Sequence, residues 1–450
     1  MKNCISYCAW VGGMVLAVVL AGGGGAMAQF KDFDDGDKAF EFGNQENMPK
    51  PAGRSGYEVD TNNPVMLIFP GLREAPSPDW VKPGLRVTFF ATSATIPRGD
   101  IAGVVQDTDG KWVDPNTGQA YSVEHNRSSY GEGYNQLDVV SLSDDAVAFT
   151  LRAYGNDLMG GSVRQLNSTA SITLPGAAAD WWMNPVVLDQ TVDKLNGPGI
   201  KAARIPYKSA DKQYNAVWIS TKTAGGYMSN VIDLDSGLTL RYSSSYTSRP
   251  DGVSNIGGVP TQVGGGTNLG TTTFMGMREL KAPWIGMPMP KSLNGVRQLA
   301  YEGQTAMTMM GNTVSMPMRV IVDITGRGPD FIAAKRTTRI DMQNGMPQQD
   351  IVSAALSGSH QLLPIAIPPR ALARLRNGQV IDKDPFTKIN TFVSFIGRDQ
   401  TGNEVVTLTE YIDENAMRMD YVYESNSGIL TAMQFSDPML HTKNTVHLVR

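Results

Sequence analysis

Three short landmarks occur twice in this chain, in the same order, so whatever one copy folds into the other must fold into as well. The first is a glycine, an aliphatic residue and an arginine with an aromatic close behind: GLRVTFF from Gly84 and GVRQLAY from Gly295. The second is P-x-x-L, at Pro185 and Leu188 and again at Pro369 and Leu372. The third is a D/N-S-G triplet, Asp235-Ser236-Gly237 and Asn426-Ser427-Gly428, set between two alternating runs. The spacing between copies is not constant, so loops carry insertions. A shared order of three unlike signals still predicts an internal duplication.

The landmarks also say what is duplicated. A D/N-S-G triplet places glycine at the third position of a hairpin loop, where a positive φ is required. P-x-x-L predicts a short helix, since proline is tolerated in the first turn. Alternation around the first triplet puts Val231, Asp233 and Asp235 on one face, with Ile232, Leu234, Leu238 and Leu240 inward. Gly (47) and Pro (26) are frequent and only 18% of residues are charged, which with many β-branched runs points to a β-rich chain. The expected fold is mainly β: two sequence-related antiparallel β-rich modules, each a curved sheet or half-barrel with one short helix. They occupy residues 64–284 and 285–450. The Gly-rich stretch between LTLRYSS and TTTFMGMREL reads as a long loop closing a hairpin.

The N-terminus has one lysine, an apolar run from Ala9 to Ala21, and small residues ending in Ala26-Met27-Ala28. That is the layout of a cleaved secretory signal over residues 1–28. The run is shorter than the ~20 residues a membrane-spanning helix needs, and no later stretch is apolar enough to span a bilayer. Both cysteines, Cys4 and Cys8, fall in this leader, so the mature chain is expected to lack disulfides and thiolate chemistry. Residues 29–63 read as an acidic, aromatic arm, with Asp32, Asp34, Asp35 and Asp37 among interleaved phenylalanines. A net charge of −4 argues against a nucleic-acid partner held by bulk electrostatics.

Catalytic motifs are missing. There is no phosphate-cradling G-K-[ST] loop, no G-x-G-x-x-G, no H-E-x-x-H and no G-x-S-x-G. The four histidines, His125, His360, His441 and His447, are not spaced as metal ligands. A hydrolase could only be assembled in space, with Asp233, His125 or His360 as nominal candidates. VQDTDGKWVD holds Asp107, Asp109 and Asp114 around Gly110, but Val105 stands where an EF-hand needs its first carboxylate. An Asp-Gly hairpin turn is the simpler expectation.

Two residue sets remain for binding. Trp181, Trp182 and Trp284 could line an apolar or sugar-stacking pocket, or anchor the core. Methionines recur as M-x-M pairs, and thioethers select Cu(I). In a strand, M-x-M is core filling, which is expected of Met275 and Met277 at the end of the first module. The proline-spaced Met287 and Met289 favour extended polyproline II, do not share a face, and keep the copper alternative open. The sequence therefore predicts an exported, non-catalytic envelope or extracellular protein without cofactor, holding an apolar small molecule, lipid or envelope partner. A Met-based copper protein and a spatially assembled hydrolase are the alternatives.

Overall fold

A computed structural model describes residues 57–449, apart from 58, 62–64, 98–103, 128, 157–162, 179–180, 210–211, 224–225, 248–252, 257–258, 263–265, 310–311, 342–348, 412–416 and 439–440. The leader and most of the acidic arm lie outside the described residues. Of the arm, Tyr57 packs its ring 5.1 Å from that of Phe331, and the Asp60 N–H donates to the Ile172 carbonyl. Among the described residues no helix is long and apolar enough to cross a membrane.

The first sheet has nine strands: β1 Leu85–Pro97, β2 Ser129–Leu142, β3 Val147–Asn156, β4 Val163–Thr173, β5 Ile200–Ser209, β6 Lys212–Thr223, β7 Gly226–Asp233, β8 Thr239–Thr247 and β9 Gly266–Glu279. The second has ten: β10 Gln298–Met309, β11 Asn312–Arg327, β12 Phe331–Ile340, β13 Gln349–Gly358, β14 Val380–Lys383, β15 Asn390–Arg398, β16 Glu404–Tyr411, β17 Arg418–Glu424, β18 Leu430–Asp437 and β19 Thr442–Leu448. Every main-sheet pairing is antiparallel. The order is 4-3-2-1-9-8-7-6-5 in the first sheet and 13-12-11-10-19-18-17-16-15-14 in the second. In both, a four-strand meander runs outward from the centre, a helix follows, and the chain returns strand by strand until its last strand pairs with its first. The second sheet adds one edge strand, β14. The Gly-rich stretch does close a hairpin, since β8 pairs with β9 across it.

The helix that recurs in both modules is α1, Pro185–Thr191, in the first and α2, Pro369–Leu372, in the second, each starting on the proline of its P-x-x-L; the first module adds four-residue helices at Val65–Ile68 and Val123–Asn126 beyond the one expected. Asn184 caps α1 by accepting from the Val186 and Val187 N–H groups. Leu188 and Val192 pack on Val217, Ile219, Ile232 and Leu234, while Leu372 and Leu375 pack on Val393, Val406, Leu408 and Tyr423. Each helix thus covers the same face of its own sheet.

The second and third landmarks touch. The Met183 N–H donates to the Gly237 carbonyl and the Ile367 N–H to the Gly428 carbonyl, both at 2.9 Å. The glycines have φ of 72° and 74°. A Cβ on Gly237 would lie 1.8 Å from the Met183 oxygen, and one on Gly428 would lie 1.9 Å from the Ile367 oxygen. Both constraints demand glycine, which is why the triplet survives in both copies.

Register repeats as closely as topology. In the first sheet Ser229 faces Ser243 and Val231 faces Arg241, then Leu240 is bulged out and Ile232 faces Thr239. In the second, Asp420 faces Gln434 and Val422 faces Ala432, then Thr431 is bulged out and Tyr423 faces Leu430. This bulge corrects the simple alternation drawn from the sequence. Ile232 and Leu234 join the cluster of α1, whereas Val231, Leu238 and Leu240 join that of Trp182. Val231 is fully buried, because both faces of these strands are covered.

Gly237→Ala and Gly428→Ala should each lose more than about 3 kcal/mol of stability, combining a left-handed backbone with a clash against a carbonyl. Gly378→Ala is the control, with φ of 76° but open space around the added Cβ, and should lose about 1–2 kcal/mol. Urea midpoints compare the three; equal losses would mean that the turn–helix contact contributes nothing.

Candidate functional site

A groove of about 300 Å³ crosses strands β15 to β19 on the face of the second sheet turned away from α2. Cross-strand partners share a face, so register assembles its lining in rows. One row reads Phe395, Thr407, Val422, Ala432 and His447; the next reads Thr409, Asp420, Gln434 and Thr445. The first gives a floor, kept low by Ala432, and the second gives a polar wall.

The polar groups are unevenly satisfied. Arg418 Nε donates to both oxygens of Asp420 at 3.0 Å, and the Thr409 hydroxyl also donates to that carboxylate. The Thr409 and Ser394 hydroxyls lie 2.7 Å apart. The terminal nitrogens of Arg418, the Gln434 amide, the Thr445 hydroxyl and the His447 ring make no hydrogen bond to another described residue. Phe395 is 45% exposed, its ring lying along the strand over Gly397, where a Cβ would come 2.6 Å from Cζ.

A second polar cluster lies where the two sheets meet. Arg86 makes a two-pronged pair with Asp138 at 2.6 and 2.7 Å and reaches Asp384 at 3.5 Å. Arg278 forks onto Asp382 at 2.7 and 2.6 Å and also meets Asp384. Arg152 pairs with Glu410 at 3.1 Å. Three arginines of the first sheet thus meet three carboxylates of the second, with Asp138 between them. Burial pushes Asp384 up, but Arg86, the Thr387 N–H and Arg278 outweigh it and hold the carboxyl down at about 2. Asp138 is likewise raised by burial and lowered overall by Arg86. The space among these groups cannot hold a solvent molecule. This cluster fastens the sheets together and offers nothing to a ligand.

The tryptophans are not brought together. Trp182 is fully buried in the first core and donates its indole N–H to the Pro175 carbonyl; Trp284 is fully buried in the second and donates to Gln361. Trp181 packs beside Phe89, ring centres 4.8 Å apart. None of the three lines the groove.

The methionine expectations are reversed. Met275 and Met277 do end the first sheet, but they are 46% and 39% exposed rather than core-facing. The register passes from Phe89–Phe274 to Thr88–Gly276, which leaves Met275 as the extra residue of a bulge. Met287 and Met289, in the extended segment, are packed instead against two different clusters, one around Trp284 and one around Leu293. Among the described residues no group of three or more His, Cys, Asp or Glu could hold a metal.

Among the described residues one histidine–carboxylate pair is present: His360 Nδ1 lies 3.3 Å from Asp330, whose other oxygen accepts from the Ser141 hydroxyl at 2.6 Å. Ser359 also sits on the Nδ1 side, at 3.3 Å. A triad needs its nucleophile on the nitrogen opposite the carboxylate, and here the ring edge toward Nε2 lies against Gly286. Asp233 is buried in the turn, bonded by Ser236. The side chain of His125 lies outside the described ones.

The acidic loop proves to be a hairpin. Residues 105–106 pair with 112–113, and Asp107 Oδ1 accepts from the Asp109 and Lys111 N–H groups. Sequence reasoning missed the groove, whose residues come from five strands with no motif. It also missed what this hairpin covers.

Because Asp384 and Asp138 are more acidic folded than unfolded, their contribution is full above the ordinary carboxylate value and is lost as pH falls through the folded ones. Stability should drop between about pH 4 and pH 2. Asp384→Asn should cost about 3 kcal/mol at pH 7 and flatten that acid limb. Urea titrations across this range check both; an unchanged acid limb would contradict the assignment.

No family model matches the chain, and no curated protein matches it. Among solved structures, a DUF1329 family protein from Desulfovibrio piger is 10% identical with a TM-score of 0.15, over 35% of this chain and 86% of that one. A DUF3598 family protein of unknown function from Nostoc punctiforme is 9% identical with a TM-score of 0.13, over 82% and 96%. Isotype 1 transferrin binding protein B from serogroup B Neisseria meningitidis is 8% identical with a TM-score of 0.11, over 81% and 76%. Likenesses at this level leave the chain's own geometry to carry any functional reading.

Proposed function

We propose that this is an exported, non-catalytic binding protein of the cell envelope or extracellular space, and that the groove on the second sheet is its binding site. The observation that carries the reading is the run of Gln434, Thr445, His447 and the terminal nitrogens of Arg418, which have no hydrogen-bond partner among the described residues, along one sheet face. Polar groups held in rows by strand register are pre-ordered for a ligand, so binding loses little side-chain entropy. The volume is at the lower end of the roughly 300–1,000 Å³ typical of ligand sites.

The lining narrows the partner. A hydrocarbon would desolvate Gln434 and Asp420 without replacing their water, at a cost of about 1–3 kcal/mol per group. Of the partners suggested by the sequence, an envelope component carrying hydrogen-bonding groups therefore fits better than a wholly apolar molecule. Export rests on the leader-like N-terminus. A hydrolytic role has less support, because among the described residues no nucleophile is recorded at His360 Nε2.

Filling the groove tests the reading. Ala432→Trp should be tolerated, since the first sheet carries the long Arg241 at the matching register position. Native mass spectra of protein purified without detergent should show a bound mass on the wild type that is missing from Ala432→Trp of unchanged circular dichroism. No adduct on the wild type, or one retained by the variant, would count against the groove.

A further inference from the structure

The shared register allows the two sheets to be compared position by position, and the groove has a counterpart in the first. Val231 and Arg241 match Val422 and Ala432; Ser229 and Ser243 match Asp420 and Gln434. One strand either way, Trp218 matches Thr407, and Thr271 matches Thr445.

In the first sheet this surface is covered by the chain itself. Residues 104–107 cross it, and their main chain is bonded from beneath. Trp218 Nε1 donates to the Gln106 carbonyl at 3.0 Å, Arg241 to the Asp107 carbonyl at 2.6 Å, and the Ser245 hydroxyl to the Val104 carbonyl. The Gln106 side chain adds a bond to Thr271. Val104 is fully buried against Ala94, Ile96 and Leu269, and Ser229 and Ser243 are only 2% and 1% exposed. This cover comes from the long β1–β2 connection, residues 98–128. The matching β10–β11 connection is residues 310 and 311 alone, too short to supply such a cover, and no other described residue lines the groove from above.

We propose that the groove of the second sheet takes an extended segment of a partner polypeptide, lying across β15 to β19 as residues 104–107 lie across the first sheet. It rests on the reading of the groove as a binding site and adds what fills it. Arg418, Gln434 and Thr445, at register positions neighbouring those of Trp218, Arg241 and Ser245 rather than the same ones, donate to main-chain carbonyls of the segment. Val422 and Ala432 receive a small aliphatic side chain. Arg418 is already neutralised by Asp420, so the site calls for a neutral stretch, as in Val104-Val105-Gln106, rather than an acidic or basic one.

Selection from a phage-displayed library of linear dodecapeptides, on the full chain with counter-selection on Ala432→Trp, tests this. Enriched peptides should bind the wild type and fail on Ala432→Trp. They should bind about tenfold more weakly to Gln434→Ser, which installs the residue of the first sheet. No groove-dependent peptide, or peptides indifferent to Gln434→Ser, would overturn the assignment. If native spectra meanwhile show a groove-dependent saccharide or lipid mass, the peptide is wrong and the site stands. If they show no groove-dependent mass either, both fall.

Discussion

In each sheet the first strand is hydrogen-bonded to the last, and every other feature is arranged around that pairing. β1 runs against β9 from Leu85–Glu279 to Pro97–Gly266, and β10 against β19 from Tyr301–Leu448 to Met307–Thr442. A central pair made from the two ends of a module leaves its middle strands at the edges. Only a connection packing back over the sheet can link those edges, and α1 and α2 lie within those connections. Pairing so distant in sequence also predicts slow folding, since the loop must close before its contacts reward it.

The same closure sets where the modules meet. The central strands of the first sheet supply Arg86, Asp138 and Arg278, while the edge of the second supplies Asp382 and Asp384. A buried ion cluster is weak evidence for stability, because desolvating the charges offsets much of their attraction. Its geometric demands are strict, however: two forked arginines accept few other alignments of the sheets. No residue of the first sheet lines the groove.

What was legible in the sequence was local. Gly237, Gly428, Pro185 and Pro369 are fixed by backbone chemistry that leaves few choices, so they marked the duplication and its turns correctly. What was not legible depended on register. A bulge at Met275 broke the alternation of a pair expected inside, and both residues are exposed, while a bulge at Leu240 moved Leu238 and Leu240 to a different cluster from Ile232. The landmark arginines diverged: Arg86 is buried in the ion cluster, whereas Arg297 is exposed. The groove was invisible for the same reason, because Phe395, Asp420, Gln434 and His447 become neighbours only once five strands are aligned.

One sheet is covered by its own chain, and the matching surface of the other is proposed to take a partner. Cysteine occurs only at positions 4 and 8, so a single introduced thiol reports cleanly on this. Maleimide labelling of Ser243→Cys and Gln434→Cys, purified and in the compartment where the protein resides, tests it most directly. The expected result is a protected thiol at 243 throughout and a thiol at 434 that reacts when purified but is shielded in place. A thiol at 434 equally reactive in both settings would contradict it.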